Sequence, residues 1–224
     1  MTTPHVGAVP GPEFGGRFAD RTDAGARLAP LVASSVGRDA VALGVPRGGV
    51  VVAAVVAERL GLPLGVVVVR KLGAPGHEEY AVGAIADGVR VLDAESVRAL
   101  GVSEGELGAV EARERVELAR RAARYVTDAS RDLHDREVVI VDDGIATGST
   151  AIAACEVVRA RGASRLVLAT PVAPASWRPP VAAVGEYLCL VPARDFWAVG
   201  QFYERFEQTT DAEVERLLGA SPQE

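Results

Sequence analysis

The chain has 224 residues, of which 49% are hydrophobic, and it carries a formal net charge of −6 at pH 7. This composition excludes general disorder and argues against indiscriminate binding to nucleic acid or anionic membranes, and the apolar runs are too short to span a bilayer. Cys155 and Cys189 have neither metal-ligand spacing nor a disulfide pattern, so a reducing cytoplasm is the expected compartment.

The first half of the chain alternates Val-rich runs with helical segments, which indicates a βαβ unit and a parallel sheet. In chain order we expect an N-terminal arm over 1–20, a helix over 22–36, a strand over 39–46, a helix over 50–61 closed by Gly61, and a strand over 62–73. Four consecutive valines in the last of these predict a strand buried on both faces.

The second half continues the α/β pattern after an interruption rich in Gly and Pro. We expect a long mobile loop over 74–88, a strand over 89–93, a helix over 107–126 capped by Ser103 and Glu106, a strand over 136–143, a helix over 149–163, and strands over 165–173 and 186–192. No linker divides the chain. The prediction is therefore one α/β domain over 1–224, with residues 175–224 as a small C-terminal elaboration.

The segment VVIVDDGIATGST, residues 138–150, combines two carboxylates with a turn rich in hydrogen-bond donors. Asp142 and Asp143 end a buried strand, at the edge where ligands of open α/β sheets bind. The turn offers successive backbone N–H groups and three hydroxyls at the start of a helix, which suits a phosphate. No lysine follows the glycine, so this is not a P-loop. The acidic pair would then hold ribose hydroxyls, a Mg²⁺ ion, or both.

As a whole, this segment resembles the signature of the type I phosphoribosyltransferases, which bind 5-phosphoribosyl 1-diphosphate (PRPP). GVPRGGV, RKLGAPGHEEYAVGAIA and VDDGIATGST, in that order, are also similar to a bacterial subgroup of predicted phosphoribosyltransferases. The resemblance implies a central, mainly parallel twisted sheet flanked by helices, with a mobile loop and a C-terminal hood. It also implies that Asp142 and Asp143 hold the ribose hydroxyls and, directly or indirectly, Mg²⁺. The 5′-phosphate would be held by Ala146, Thr147, Gly148, Ser149 and Thr150.

A second set of residues is expected to hold the diphosphate that leaves from ribose. The turn after the first strand offers Arg47 and the backbone of Gly48 and Gly49, where glycines allow close approach to an anion. The resemblance places a diphosphate-binding loop here, often with a strained peptide bond. Lys71 ends the next strand and would neutralise charge on the diphosphate oxygens, whereas Arg70 is expected to face a structural carboxylate.

The acceptor is the part of the reaction that the sequence leaves open. The resemblance nominates Trp197, with Phe196 as its neighbour, for stacking on a nitrogenous base, although a small hydrophobic core would explain the same aromatic cluster. Ala146 stands where 6-oxopurine enzymes have an aspartate, so that base contact has no candidate. The expected activity is Mg²⁺-dependent transfer of a phosphoribosyl group by a homo-oligomer, a dimer. The alternative is a regulator of the same fold that senses PRPP or nucleotides without turnover.

Overall fold

The computed structural model describes residues 16–125, 127–180 and 184–219, without the side chains of residues 78 and 79. The helices in these ranges are α1 (Arg21–Ala33), α2 (Gly48–Leu60), α3 (Ala94–Ala99), α4 (Glu104–Tyr125), α5 (Ser149–Ala160) and α6 (Asp211–Leu217). The strands are β1 (Val41–Gly44), β2 (Leu64–Val66), β3 (Arg70–Ala74), β4 (His77–Ala86), β5 (Val89–Leu92), β6 (Glu137–Val141), β7 (Arg165–Pro174) and β8 (Glu186–Ala193). Residues 1–15 of the predicted arm lie outside the described ranges.

Five parallel strands form the central sheet in the order β2-β1-β6-β7-β8, which confirms the predicted α/β fold. The central strands are buried along nearly their whole length, as strands covered by helices on both faces must be. Leu28 of α1 and Val56 of α2 pack on one face, and Cys155 of α5 packs on the other. Gly44 lies opposite Val141 in the register, so the segments that follow β1 and β6 emerge side by side.

Helix boundaries follow the capping residues that the sequence offers. Gly61 ends α2 in the left-handed region at φ 66°, as predicted. The predicted capping box starts α4, where the Ser103 N–H donates to Glu106 Oε2 at 2.9 Å and the Glu106 N–H donates to Ser103 Oγ at 3.3 Å. None of the described helices is both long and apolar enough to cross a membrane.

The prediction of one strand over 62–73 is wrong, although its four valines are buried as expected. Strand β2 ends at Val66, and the chain then enters a separate antiparallel sheet of order β3-β4-β5. Val67 and Val69 pack into the core beneath α5, whereas Val66 and Val68 pack toward α4. The valines are buried because this extended segment passes between two hydrophobic clusters, which does not require a single long strand.

Strand β4 takes the place of most of the loop predicted over 74–88, and the strand predicted over 89–93 is present as β5, paired with β4. Pro75 and Gly76 make a two-residue turn between β3 and β4, with Gly76 at φ 75°. Gly83 lies within β4, where an added Cβ would collide with the carbonyl oxygen of Val91. The Gly and Pro residues of this segment mark a tight turn and close strand packing.

The segments before α1 and after β8 meet beside the central sheet. Phe18 is buried and forms a parallel bridge with Tyr203. The Phe18 N–H donates to the Phe202 carbonyl at 2.7 Å, and the Glu204 N–H donates to the Phe18 carbonyl at 2.8 Å. Helix α6 then docks on α2 and α4, with Val214 buried. The predicted elaboration over 175–224 thus includes the sheet strand β8 as well as this segment.

Candidate functional site

The turn after β1 packs directly against the acidic pair that follows β6. The Val45 N–H donates to the Val141 carbonyl at 2.9 Å, which holds the two segments together. A Cβ added at Gly49 would lie 2.7 Å from that carbonyl oxygen and 2.9 Å from the Cα of Asp142. A Cβ added at Gly48 would collide with Asp143 Oδ2. The double glycine is therefore needed for this approach, and it brings two predicted parts of the site into contact.

Asp142 and Asp143 differ in how their charges are balanced. The Asp142 side chain accepts a hydrogen bond from the Asp143 N–H at 2.9 Å, and it has no ion pair among the described residues. Burial, followed by the neighbouring charge of Asp143, raises the pKa of Asp142 well above its ordinary value. Burial also raises the pKa of Asp143, but the guanidinium of Arg21 opposes this shift. The negative charge of Asp142 is therefore less well balanced by positive charge than that of Asp143.

Arg21 is a site residue that the sequence prediction missed. Its Nε donates to Asp143 Oδ2 at 2.7 Å, and its Nη1 donates to the Glu207 carbonyl at 2.8 Å. Its guanidinium also lies 4.0 Å from the ring centroid of Phe206. The Tyr203 hydroxyl also donates to the Asp143 carbonyl at 2.6 Å. The segment after β8 is thus tied to the acidic turn through Arg21 and Tyr203.

The raised pKa of Asp142 predicts how the free energy of unfolding depends on pH. In the range between its unfolded and folded pKa values, the folded protein holds a proton that the unfolded chain has lost, so the free energy of unfolding falls as pH rises. Asp142→Asn removes this titration. We expect the variant to gain stability relative to the wild type between about pH 4.5 and about pH 7.5. Denaturant unfolding of both proteins at each pH measures this gain. If the variant and the wild type differed in free energy of unfolding by the same amount at both pH values, the raised pKa of Asp142 would be contradicted.

The predicted phosphate loop leads from the acidic pair into α5. Ala146 and Thr147 are exposed, and Gly148 takes a left-handed conformation at φ 82° before the helix begins at Ser149. The Thr147 and Ser149 hydroxyls lie 3.3 Å apart. The indole Nε1 of Trp177 donates to the Thr147 carbonyl at 3.0 Å, so this side chain holds the loop.

The helix N-termini at this edge of the sheet differ from those elsewhere. Side chains of Asp20, Asp93 and Thr210 cap α1, α3 and α6, and the capping box closes α4. No described side chain caps α2 or α5, which begin after Arg47 and Gly148. No described side chain therefore occupies the N–H groups of the first turn of either helix, although the Val50 N–H donates to the Arg47 carbonyl at 3.2 Å. Both helix dipoles favour an anion there.

Arg47 directly precedes α2, and its side chain pairs with a residue far away in the sequence. The Pro46–Arg47 peptide bond is cis. Arg47 Nη1 lies 3.5 Å from Asp211 Oδ1, at the start of α6. Arg124 pairs with the same carboxylate at 2.7 Å, and the Tyr125 hydroxyl donates to it. Burial, followed by this hydrogen bond, raises the pKa of Tyr125 to about 12. Asp211 thus holds the guanidinium of Arg47 against α4.

Lys71 lies on β3, in a cleft of about 210 Å³ that also contains residues of two other predicted site segments. Pro46 of the turn before α2 and Thr150 of the phosphate loop both line this cleft. Arg70 lines it too, but its Nε donates to Glu114 of α4 at 2.6 Å. The prediction that Arg70 faces a carboxylate is confirmed, and Lys71 shares a cleft with the phosphate loop.

The aromatic residues after β8 divide into a packed group and one exposed ring. Phe196 stacks on Phe202 with a centroid distance of 5.7 Å, and Tyr203 packs between Phe18 and Phe206. These contacts build a small hydrophobic core. Trp197 is 88% exposed, and its backbone N–H donates to Gln201 Oε1. The two predicted base contacts are therefore adjacent in the chain but differently placed, and only Trp197 presents a whole ring to solvent.

A family model and the curated relatives of this chain indicate the same family. A family model described as the phosphoribosyl transferase domain matches residues 33–206. Two proteins from different strains of Mycobacterium tuberculosis, provisionally named as phosphoribosyl transferases, are 49% identical over 204 residues, which is 90% of this chain and 46% of theirs. The chain thus spans about half the length of these curated relatives. The crystal structure of TT1426 from Thermus thermophilus is 43% identical, with a TM-score of 0.80 over 90% of this chain and 97% of that one.

Proposed function

The chain belongs to the phosphoribosyl transferase family, and from this premise we propose that it transfers a 5-phosphoribosyl group from PRPP to a nitrogen nucleophile. Diphosphate leaves from ribose C1 with the bonding electron pair, and the lone pair of the acceptor nitrogen forms the new bond to that carbon. Because both ends of PRPP are anionic and its ribose is rich in hydroxyls, the site must offer two anion positions with hydroxyl acceptors between them.

The observation that carries the proposal is the pairing of two uncapped helices around one acidic turn. Helices α2 and α5 both begin beyond the carboxyl edge of the neighbouring strands β1 and β6, and Gly48 and Gly49 pack against Asp142 and Asp143. A lone phosphate would be repelled by the two carboxylates. A phosphorylated sugar satisfies both features, because its hydroxyls donate to the carboxylates while its charged ends accept from the N–H groups.

The proposed roles follow from this placement. Asp142 and Asp143 accept from the ribose 2′- and 3′-hydroxyls and fix the sugar ring. The 5′-phosphate is held by Ala146, Thr147, Gly148, Ser149 and Thr150. Arg47, Gly48 and Gly49, together with Lys71, bind the diphosphate and stabilise the charge it gains as the bond to C1 lengthens. The protein contributes positioning and preorganised electrostatics.

These residues fit a Mg²⁺ ion that is bound mainly by the phosphates of PRPP. The described part of the chain has no group of three or more His, Cys, Asp or Glu side chains arranged around a metal position. Mg²⁺ is commonly bound through one or two carboxylates with substrate phosphates and waters. Asp142, with its poorly compensated charge, and Asp143 are the residues that would hold it. When bound, the ion would neutralise negative charge on the diphosphate.

The acceptor is proposed to be a nitrogenous base that stacks on Trp197, with Phe196 supporting it from the packed core. Val199 lies against Gly144, so closely that a Cβ added to this glycine would collide with the valine. Gly144 directly follows Asp143, and Trp197 is two residues before Val199. The segment that carries the exposed indole is thus anchored next to the proposed ribose contacts, where the acceptor must arrive.

A turnover screen tests the proposal: PRPP, Mg²⁺ and a panel of purine, pyrimidine and pyridine bases, with release of diphosphate as the readout. We expect release that depends on one class of base and is lost when Mg²⁺ is removed. In the same assay, Trp197→Ala should raise the KM for the base about 10-fold or more without changing the KM for PRPP. Leu100→Ala, a change at another exposed apolar residue, serves as control. Tight PRPP binding without turnover on any base would instead favour a sensor.

A further inference from the structure

The cleft that contains Lys71 is lined by a third cation that the proposed function does not use, Arg121 of α4. The charged side chains around this space of about 210 Å³ are Arg70, Lys71 and Arg121. No carboxylate is among the described residues that line it. Apolar walls from Val45 and Val69 surround these cations, which strengthens their attraction for an anion. The cleft is built to receive negative charge.

The partners of Arg121 leave its guanidinium able to bind a ligand. Its Nε donates to Glu117 Oε1 at 2.9 Å, but Arg120 makes two further bonds to the same carboxylate, at 2.8 and 2.9 Å. One carboxylate thus serves two guanidinium groups. The terminal nitrogens of Arg121 have no hydrogen-bond partner among the described residues. They are the two donors from which a phosphate accepts hydrogen bonds.

The backbone that carries Arg121 is fixed by packing on both sides of it. Leu118 and Tyr125, which precede and follow Arg121 on α4, are buried in the cluster that also contains Val66 and Val68. A cation on a packed helix loses little conformational freedom when it binds, unlike one on a loop. Alternating charges on a helix are typical of a solvated face, but Arg121 lines the cleft.

We propose that Arg121 is a further catalytic residue, which donates to the diphosphate of the donor and stabilises the charge that this group gains as it leaves. This rests on the proposed function, because it assumes that PRPP is the donor. Lys71, on the wall of the same cleft, belongs to the proposed diphosphate site, Pro46 directly precedes Arg47 of that site, and Thr150 belongs to the phosphate loop. With ribose over Asp142 and Asp143, the proposal places the diphosphate between these segments.

The test compares Arg121→Gln with the wild type by titration calorimetry, using inorganic diphosphate with Mg²⁺ as one probe and ribose 5-phosphate as the other. We expect diphosphate affinity to fall about 10-fold or more, while ribose 5-phosphate affinity stays within about 2-fold. Arg121→Lys should recover part of the loss, because it restores the charge without the planar fork. Arg115→Gln removes the same charge from an exposed position on α4, where it pairs with Glu111, and should bind both probes normally.

Each outcome decides between the claims. Unchanged diphosphate affinity in folded Arg121→Gln, or in folded Arg121→Ala as a second variant, overturns the Arg121 assignment and leaves the transferase proposal standing. An equal loss for both probes also overturns it, because it indicates a structural role. Selective loss in an enzyme that turns over no base supports the diphosphate contact but removes the transferase. A wild type that binds neither PRPP nor diphosphate removes both proposals.

Discussion

Replacing both acidic residues, Asp142→Asn with Asp143→Asn, is expected to weaken Mg-PRPP binding at least about 100-fold while the domain stays folded. Two hydrogen bonds from ribose hydroxyls to carboxylates are worth about 1.5–3 kcal/mol each, and a loss of about 3 kcal/mol is a factor of about 100. The fold should tolerate the change because desolvation already disfavours the charge of the half-buried Asp142. Titration calorimetry and thermal unfolding measure the two effects.

The single variants should separate the two carboxyl groups. Asp142→Asn removes a poorly compensated charge and should be neutral or stabilising at neutral pH. Asp143→Asn leaves Arg21 without its charged partner, so a cost of about 1–3 kcal/mol in the free energy of unfolding is expected. Asp128→Asn with Asp135→Asn is the matched control, because both side chains are exposed and precede β6 at its other end. PRPP affinity equal to that of the wild type in a folded Asp142/Asp143 double variant would remove the central proposal.

Alanine at Gly49 is expected to cost about 1–3 kcal/mol in the free energy of unfolding, because the new Cβ meets backbone atoms that cannot rotate away. The Val141 carbonyl and the Cα of Asp142 would have to move, and both belong to the end of β6. Gly48→Ala meets side-chain atoms of Asp143 and Arg21, which can shift. This variant should therefore unfold less easily than Gly49→Ala, yet bind PRPP about 10-fold or more weakly, because the Asp143 carboxylate moves from its place.

Gly108→Ala is the control for both substitutions. Gly108 lies within α4, where nothing is within 4 Å of an added Cβ, so alanine should stabilise the helix by about 0.5–1 kcal/mol. Denaturant unfolding and PRPP titration on the three variants measure the order of effects. If Gly49→Ala were as stable as Gly108→Ala, the close packing of this turn against the acidic pair would not be a feature of the molecule in solution.

The parts of the site that a short segment encodes could be predicted from the sequence. Residues 138–150 contain the end of β6, the acidic pair, the turn and the start of α5 in one run, so the spacing of residue types was sufficient. Arg47 and its two glycines could be placed for the same reason, since the strand before them and the helix after them are strongly patterned. Whether these residues bind PRPP stays a prediction until the variants are measured.

The parts that depend on distant residues could not be predicted. Arg21 and Asp143 are 122 positions apart, and Arg47 and Asp211 are 164 apart, with nothing in the local sequence that links them. The segment over 74–88 was misinterpreted for another reason. Its Gly and Pro residues are typical of loops, but in a hairpin the same residues provide a two-residue turn and a close strand contact. Only pairing with β3 and β5 distinguishes the two cases.

The contact between Tyr203 and the Asp143 carbonyl has a consequence for the order in which the molecule is completed during synthesis. The central sheet needs residues up to Ala193, but the acidic turn gains the Tyr203 hydroxyl, and Arg21 gains Phe206 and Glu207, from residues later in the chain. A nascent chain that has exposed only the sheet can therefore reach its overall topology before Arg21 has all of its contacts. The contacts of the proposed site are expected to form later than the central sheet that supports it.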